Sequence, residues 1–65
     1  MKVTINNKES DISALNVRQL AQELQLPATG VAVAINNEIV HRDMWETTLI
    51  REGADIVIIK AFSGG

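Results

Sequence analysis

The sequence contains no cysteine among its 65 residues. Disulfide bonds, thiolate metal sites and a cysteine nucleophile are therefore excluded. A chain without cysteine is in keeping with a reducing cytoplasm, where we expect this protein to act. Its single histidine, His41, has no cysteine to share a metal ion with, and we interpret it as a solvated loop residue. The sequence predicts neither a metal site nor a catalytic side chain.

Aromatic residues and excess positive charge are also scarce. Trp45 and Phe62 are the only aromatic residues. The sequence has eight aspartates and glutamates and six lysines and arginines, for a formal net charge of −2. Nucleic-acid binding needs a basic surface, usually with aromatic residues interleaved, and is not expected. An acidic chain is instead suited to basic patches on partner proteins.

Long hydrophobic runs are absent as well. The longest, Val31–Ile35 and residues 56–59, are far too short to span a bilayer. The sequence does not open with a basic stretch followed by an apolar run, so no signal peptide is expected. We predict that the protein does not act in a membrane.

The opening residues predict a β-hairpin. Lys2–Ile5 alternates polar with apolar residues, which is the period of a half-buried strand. Asn6 and Asn7 follow, and asparagine tolerates the positive φ of a tight turn. A second strand is predicted over residues 8–12, antiparallel to the first.

The period then changes to that of a helix, over residues 16–26. Asn16 is a candidate N-cap, and Gln19 occupies the capping-box position. Pro27 disfavours helix at Leu26, so the helix is predicted to end about there. The predicted apolar face consists of Val17, Leu20, Ala21 and Leu24.

Short strands are predicted to follow the helix. The unbroken apolar run Val31–Ile35 indicates a strand buried on both faces. A second asparagine pair leads into a return strand, Glu38–Val40, and Trp45 is expected to pack beneath an irregular segment. A brief strand at residues 49–50 and a last strand over residues 55–61 complete the pattern. The core candidates on these strands are Val33, Ile35, Ile56 and Ile58.

This order of elements predicts an α+β fold in which one helix packs on a mixed sheet of four or five strands. By analogy, it is the β-grasp arrangement of ubiquitin. We predict a β-grasp domain over residues 1–61 and a flexible C-terminal tail over residues 62–65. An uncovered apolar face of such a sheet would serve as a docking surface.

The tail has the sequence Phe62-Ser63-Gly64-Gly65. Two final glycines bury no side chain and cost conformational entropy, so we expect them to contribute little to folding. Glycine does, however, let a backbone thread into a narrow enzyme site and leaves a terminal carbonyl unhindered. A carboxylate there is suited to activation as an acyl-adenylate, followed by attack of a sulfur nucleophile that gives a thiocarboxylate.

The residues together resemble the ThiS family of sulfur carriers in thiamin biosynthesis. The resemblance spans the whole chain and is carried by the block VAVAINNEIV at residues 31–40, with Arg42, Trp45, Leu49, Gly53, Asp55 and the closing Gly64-Gly65. Position 41, commonly proline in the family, is His41 here. The turn before Asp55 is one residue longer than the usual Gly-Asp pair.

The resemblance implies a role for each residue of the tail. Gly65 would be adenylated by a ThiF-type enzyme with ATP and magnesium, converted to a thiocarboxylate by a sulfur donor system, and used by thiazole synthase, ThiG. Phe62, Ser63 and Gly64 would enter the partner's active site, although Phe62 could equally close the core edge. The chain would then be a co-substrate without a bound cofactor of its own.

Three other functions remain open on the sequence. The diglycine also suits a MoaD-like carrier for molybdopterin or a ubiquitin-like modifier joined to lysines. A β-grasp binding module with an inert tail would not need Gly65 at all.

Overall fold

The computed structural model describes residues 1–27 and 29–60. These residues form a five-stranded mixed sheet in the order β2-β1-β5-β3-β4, with one α-helix against it. Strands β1 and β5 are parallel, and the other neighbouring pairs are antiparallel. The elements in chain order are β1 (Lys2–Ile5), β2 (Lys8–Asp11), α1 (Val17–Glu23), β3 (Val31–Ile35), β4 (Glu38–Val40), the short 3-10 helix η1 (Arg42–Met44) and β5 (Asp55–Lys60).

Both predicted hairpin turns are present. Asn6 and Asn7 have φ angles of 51° and 68°, and Asn36 and Asn37 have 51° and 72°. Two successive residues of positive φ suit the right-handed twist of the flanking strands, and asparagine adopts this conformation more readily than most residues. The two asparagine pairs therefore fix the registers of β1 with β2 and of β3 with β4.

The helix begins as predicted. The Asn16 side chain accepts a hydrogen bond from the Gln19 N–H at 2.8 Å, which caps the first turn. The Gln19 side chain accepts in return from the N–H of Leu15, also at 2.8 Å. This reciprocal pair is the capping box, displaced by one residue because the second bond reaches Leu15 rather than Asn16.

The predicted end of the helix at Leu26 is wrong. Helix α1 ends at Glu23, and Gln25 has a left-handed φ of 56°. The N–H of Leu26 donates to the carbonyl of Ala21, and that of Gln25 to the carbonyl of Gln22, which is a Schellman closure. This closure turns the chain before Pro27 can act as a stop.

The segment between η1 and β5 packs against the start of α1. The first helical N–H groups, of Val17 and Arg18, donate to the carbonyls of Thr48 and Trp45 at 3.1 Å each. The predicted strand at residues 49–50 is only an isolated bridge between Asn16 and Leu49. This segment supplies partners for N–H groups that a helix cannot satisfy internally.

The core lies between α1 and one face of the sheet. Within residues 1–27 and 29–60, it contains ten buried hydrophobic residues, namely Val3, Ile12, Ala14, Val17, Leu20, Val33, Trp45, Ile50, Ala54 and Ile56. Of the predicted strand candidates, Val33 and Ile56 are buried, whereas Ile35 and Ile58 are partly buried and pack against the cluster. On the helix, Ala21 is partly buried, and Leu24 is 38% exposed because it lies beyond the last turn.

The prediction that β3 is buried on both faces is wrong. Val33 is 1% exposed, but Ala32, which points to the opposite face, is exposed. Helix α1 covers one face of the sheet, whereas Ile39 and Ile59 remain exposed on the other, beside Ala32 and Ala34. None of the helices formed by residues 1–27 and 29–60 is long and apolar enough to cross a membrane.

Candidate functional site

The residues predicted to carry the chemistry are Phe62, Ser63, Gly64 and Gly65, and they lie outside the described residues. The described chain reaches Lys60, the last residue of β5. The candidate site therefore consists of the end of β5 and the surfaces beside it. The tail follows β5 in sequence, so these surfaces are the part of the domain nearest to its start.

Strand β5 is the central strand of the sheet. On one side, its antiparallel pairing with β3 continues as far as Val31 opposite Lys60. On the other side, its parallel pairing with β1 ends earlier, with Ile5 beside Ile56. Backbone pairing therefore extends further along β5 on the side of β3 than on the side of β1.

The side chain of Asn6 extends the hydrogen bonding of β5 on the side of β1. Its Oδ1 accepts from the N–H of Ile58 at 2.8 Å, and its Nδ2 donates to the carbonyl of Ile58 at 3.2 Å. The Asn6 backbone N–H still donates to the carbonyl of Ile56 at 2.9 Å. The Asn6 side-chain amide thus takes the place of one more peptide group in the ladder between β1 and β5.

Asn36 has a similar role at the opposite end of β5. Its backbone N–H donates to the carbonyl of Asp55 at 2.8 Å, and its Oδ1 accepts from the Asp55 N–H at 3.0 Å. Two asparagines of equal φ thus bind β5 near its beginning and near its end.

None of the described residues covers the face of the sheet opposite α1, and half of this face is apolar. Cross-strand register places Ala32 beside Ile59, and Ala34 beside both Val57 and Ile39. Ile39 is 67% exposed and Ile59 is 61% exposed. We call the patch formed by Ala32, Ala34, Ile39, Val57 and Ile59 the open face. It adjoins the last residues of β5.

The other half of the same sheet surface, on β1 and β2, is polar. Strand alternation places Lys2 and Thr4 of β1, and Glu9 and Asp11 of β2, on this surface. The apolar patch is therefore confined to the half that includes β5, β3 and β4.

Trp45 packs as predicted. It is 6% exposed, and its indole N–H donates to the carbonyl of Val40 at 2.9 Å. The guanidinium of Arg42, whose role the sequence left undecided, lies 4.4 Å from the centre of the Trp45 ring. This is a cation–π contact between an exposed and a buried side chain, with a structural role in the loop.

The ionisable residues form no catalytic cluster in the part of the chain that the structure describes. His41 is exposed, as predicted. Within residues 1–27 and 29–60, no group of three or more histidine or carboxylate side chains is arranged to hold a metal ion. The carboxylates expected to form a solvated rim, Glu38, Asp43, Glu46, Glu52 and Asp55, are all exposed.

Two of these carboxylates have defined partners. Glu52 accepts from the Lys2 N–H at 2.8 Å, and the Glu46 carboxylate lies 3.8 Å from the Arg18 guanidinium. Neither contact brings together groups that would catalyse a reaction.

Comparison with known proteins decides the family. The family model described as the ThiS family matches residues 3–65, which includes both glycines of the tail. This chain belongs to the ThiS family. The sulfur carrier protein ThiS of Escherichia coli K12 is 29% identical over 66 residues, and the match covers 100% of both chains.

Solved ThiS structures share the fold. The crystal structure of the thiamine biosynthesis protein ThiS from Geobacter metallireducens has a TM-score of 0.84 at 28% identity, with full coverage of both chains. A solution structure of a thiamine biosynthesis protein from the same organism has the same TM-score and identity, covering 100% of this chain and 88% of that one. The predicted β-grasp arrangement is thereby confirmed.

Position 41, commonly proline in ThiS proteins, is His41 here. Its backbone nevertheless has a conformation that proline could adopt. His41 has φ −66° and ψ 149°, and a proline ring fixes φ near −65°. The longer turn before β5 closes through a hydrogen bond from the Ala54 N–H to the Arg51 carbonyl at 3.0 Å. Gly53, with φ 83°, provides the positive φ that this turn needs.

Sequence reasoning missed the bonds from Asn6 and Asn36 to β5. It predicted both residues as turn formers, which they are. The signal that could have found the bonds was the use of asparagine, rather than glycine, at the first position of both turns. An asparagine there supplies positive φ and an amide that a neighbouring strand can use.

Proposed function

We propose that this protein is the sulfur carrier of thiamin biosynthesis, with the sulfur held as a thiocarboxylate on Gly65. The observation that carries the proposal is the ThiS family match, which extends to residue 65 and so includes Gly64 and Gly65. The E. coli relative that matches over its full length is named a sulfur carrier protein. In this function the chain is a co-substrate and not an enzyme.

The chemistry follows from a carboxylate on an unhindered residue. A Gly65 carboxylate oxygen attacks the α-phosphorus of ATP on a ThiF-type enzyme, and pyrophosphate leaves. Sulfide released by the donor system then attacks the acyl carbon, the bond to AMP breaks, and the sulfur stays on Gly65 as the thiocarboxylate. ATP and magnesium are bound by the partner, so the carrier itself needs no cofactor. Thiazole synthase, ThiG, would be the acceptor of the sulfur.

We assign the two parts of the chain different tasks. Residues 1–61 form the domain that partners recognise, and residues 62–65 form the arm that enters their active sites, with Phe62, Ser63 and Gly64 leading to Gly65. Glycine at the last two positions permits close approach of the backbone to the nucleotide. The cytoplasm, where ATP and reduced sulfur donors are present, is the proposed location.

The open face is the proposed recognition surface for these partners. It contains two isoleucines, each with more than half of its surface exposed, and three smaller apolar residues. It adjoins the end of β5. Exposed contiguous apolar surface is characteristic of interaction sites. A partner that binds this patch could take up the residues that follow β5 in its active site.

The proposal is tested by the intact mass of the full chain after incubation with ATP, magnesium, a ThiF-type enzyme and sulfide. We expect a mass gain equal to the replacement of one oxygen atom by sulfur. A chain that lacks Gly65 is the control and is expected to show no gain.

Other results would point to other functions. No mass change, with an enzyme shown to be active on its own carrier, would contradict the proposal. Thiocarboxylate formation with transfer to molybdopterin synthesis, but not to ThiG, would identify a MoaD-like carrier. Conjugates with cellular lysines would indicate a modifier.

A further inference from the structure

The bond between Asn6 and Ile58 joins the first hairpin to the strand that leads to the tail. These residues are 52 positions apart in sequence. Ile58 lies two residues before the end of β5, beyond the point at which backbone pairing with β1 stops. Asn6 therefore supplies both hydrogen bonds that Ile58 makes on this side.

The geometry points to a function for this bond beyond folding. We propose that Asn6 is a positioning residue for the adenylation of Gly65, because it fixes the direction in which β5 leaves the sheet. The proposal rests on the proposed sulfur-carrier function. Asn6 does not touch the reacting atoms and acts through the backbone of Ile58.

The physical argument concerns the free energy that a partner must supply on binding. A strand end held on both sides is already ordered, so docking of the chain that follows requires less ordering of the backbone. Without the Asn6 amide, β5 would be held near Ile58 only through its pairing with β3. Ile59 and Lys60 would then sample more directions, and the partner would have to order them.

Asn36 provides a matched control within the same chain. It has the same φ as Asn6, lies in an equivalent asparagine pair, and binds β5 through its side-chain amide. Its partner is Asp55, at the end of β5 that is remote from the tail. Loss of the Asn36 amide should weaken the sheet without changing how the chain leaves it.

The test compares Asn6→Gly with Asn36→Gly in the full-length chain. Glycine adopts positive φ without strain, so each variant removes the amide and leaves the turn backbone possible. ATP–pyrophosphate exchange by a ThiF-type enzyme is measured against carrier concentration, at a temperature where Trp45 fluorescence shows both variants to be folded. Amide hydrogen exchange at Ile58 and Asp55 is measured in parallel.

For Asn6→Gly we expect the KM for the carrier to rise about fivefold with kcat unchanged, because the ordering is required equally in the bound and transition states. Exchange at Ile58 should accelerate. For Asn36→Gly we expect the wild-type KM, with faster exchange at Asp55 only.

Three results would overturn the proposal. A wild-type KM for Asn6→Gly would show that the bond does not position the tail. An equal rise in KM for both variants would show a general effect of weakened β5 pairing. If the wild-type chain supports no pyrophosphate exchange, the sulfur-carrier function itself fails and the positioning role fails with it, whereas the first two results leave that function intact.

Discussion

The backbone N–H of Leu26 donates to the carbonyl of Ala21 at 2.9 Å, across the left-handed residue Gln25. This closure ends α1 after seven residues. The position that glycine usually occupies in such a motif is here a residue with a Cβ and a long side chain. A left-handed φ costs an ordinary L-residue roughly 1 kcal/mol, so the end of the helix retains some strain.

We therefore expect Gln25→Gly to stabilise the protein. Relief of the strain at φ 56° should exceed the added chain entropy of glycine in the unfolded state, for a net gain of about 0.5 kcal/mol. Urea unfolding followed by Trp45 fluorescence measures the change. Gln22→Gly, inside the helix, is the control and should destabilise by about 1 kcal/mol. A loss of stability in Gln25→Gly would contradict the account of the helix end.

Glu23 fixes the loop between β2 and α1. Its Oε1 accepts from the N–H groups of Ala14 at 2.9 Å and Ser13 at 3.1 Å, and its Oε2 accepts from Ser13 at 3.2 Å. Glu23→Ala leaves these N–H groups without their charged partner, and we expect a loss of about 1–2 kcal/mol in the free energy of unfolding. Denaturant unfolding provides the measurement.

The matched control for Glu23 is Gln22→Ala, also exposed and in the same turn of the helix. Alanine is a slightly better helix former than glutamine, so this variant should be neutral or slightly more stable. Equal effects of the two substitutions would argue that the Glu23 carboxylate has no structural role.

His41→Pro should stabilise the chain. The φ of −66° already matches proline, and Val40 before it is in an extended strand, as the residue before proline prefers. Strand β4 is at the edge of the sheet, where the register directs the His41 N–H away from β3. Reduced entropy of the unfolded chain gives an expected gain of about 0.4–1 kcal/mol.

Thermal unfolding of His41→Pro, monitored by circular dichroism, measures this gain. His41→Ala serves as the control, since it removes the imidazole without restricting φ, and should leave the midpoint nearly unchanged. A lower midpoint for the proline variant would mean that the His41 N–H has a partner that it needs.

If the open face is the docking surface, a substitution there should weaken partner binding without destabilising the fold. Ile39→Glu places a charge in the apolar patch at a side chain that is 67% exposed. We expect the free energy of unfolding to change by less than about 1 kcal/mol, while affinity for a ThiF-type enzyme falls about tenfold or more. Isothermal titration calorimetry measures the affinity.

Leu49→Glu is the control for Ile39→Glu. Leu49 is 62% exposed but lies in the segment bridged to Asn16, beside the start of α1. It should retain wild-type affinity despite the same change of charge. If Ile39→Glu unfolds the chain, or if both variants bind equally well, the open face is not the docking surface.

Much of the local structure could be predicted from short stretches of sequence. The alternation in Lys2–Ile5, the asparagine pairs and the Asn16–Gln19 cap each depend on residues within a few positions of one another, and each is present in the fold. Local sterics and short-range hydrogen bonds decide these features. The diglycine and the block at residues 31–40 indicate the ThiS family by residue type and position alone.

The sequence by itself determined the family and the order of the five strands and the one α-helix along the chain. Only the tertiary structure decided where α1 ends, that Ala32 is exposed rather than buried, and that Asn6 binds Ile58. These outcomes depend on strand order and on which face the helix covers. Such contacts join residues far apart in sequence, and a local pattern of polar and apolar residues does not specify them.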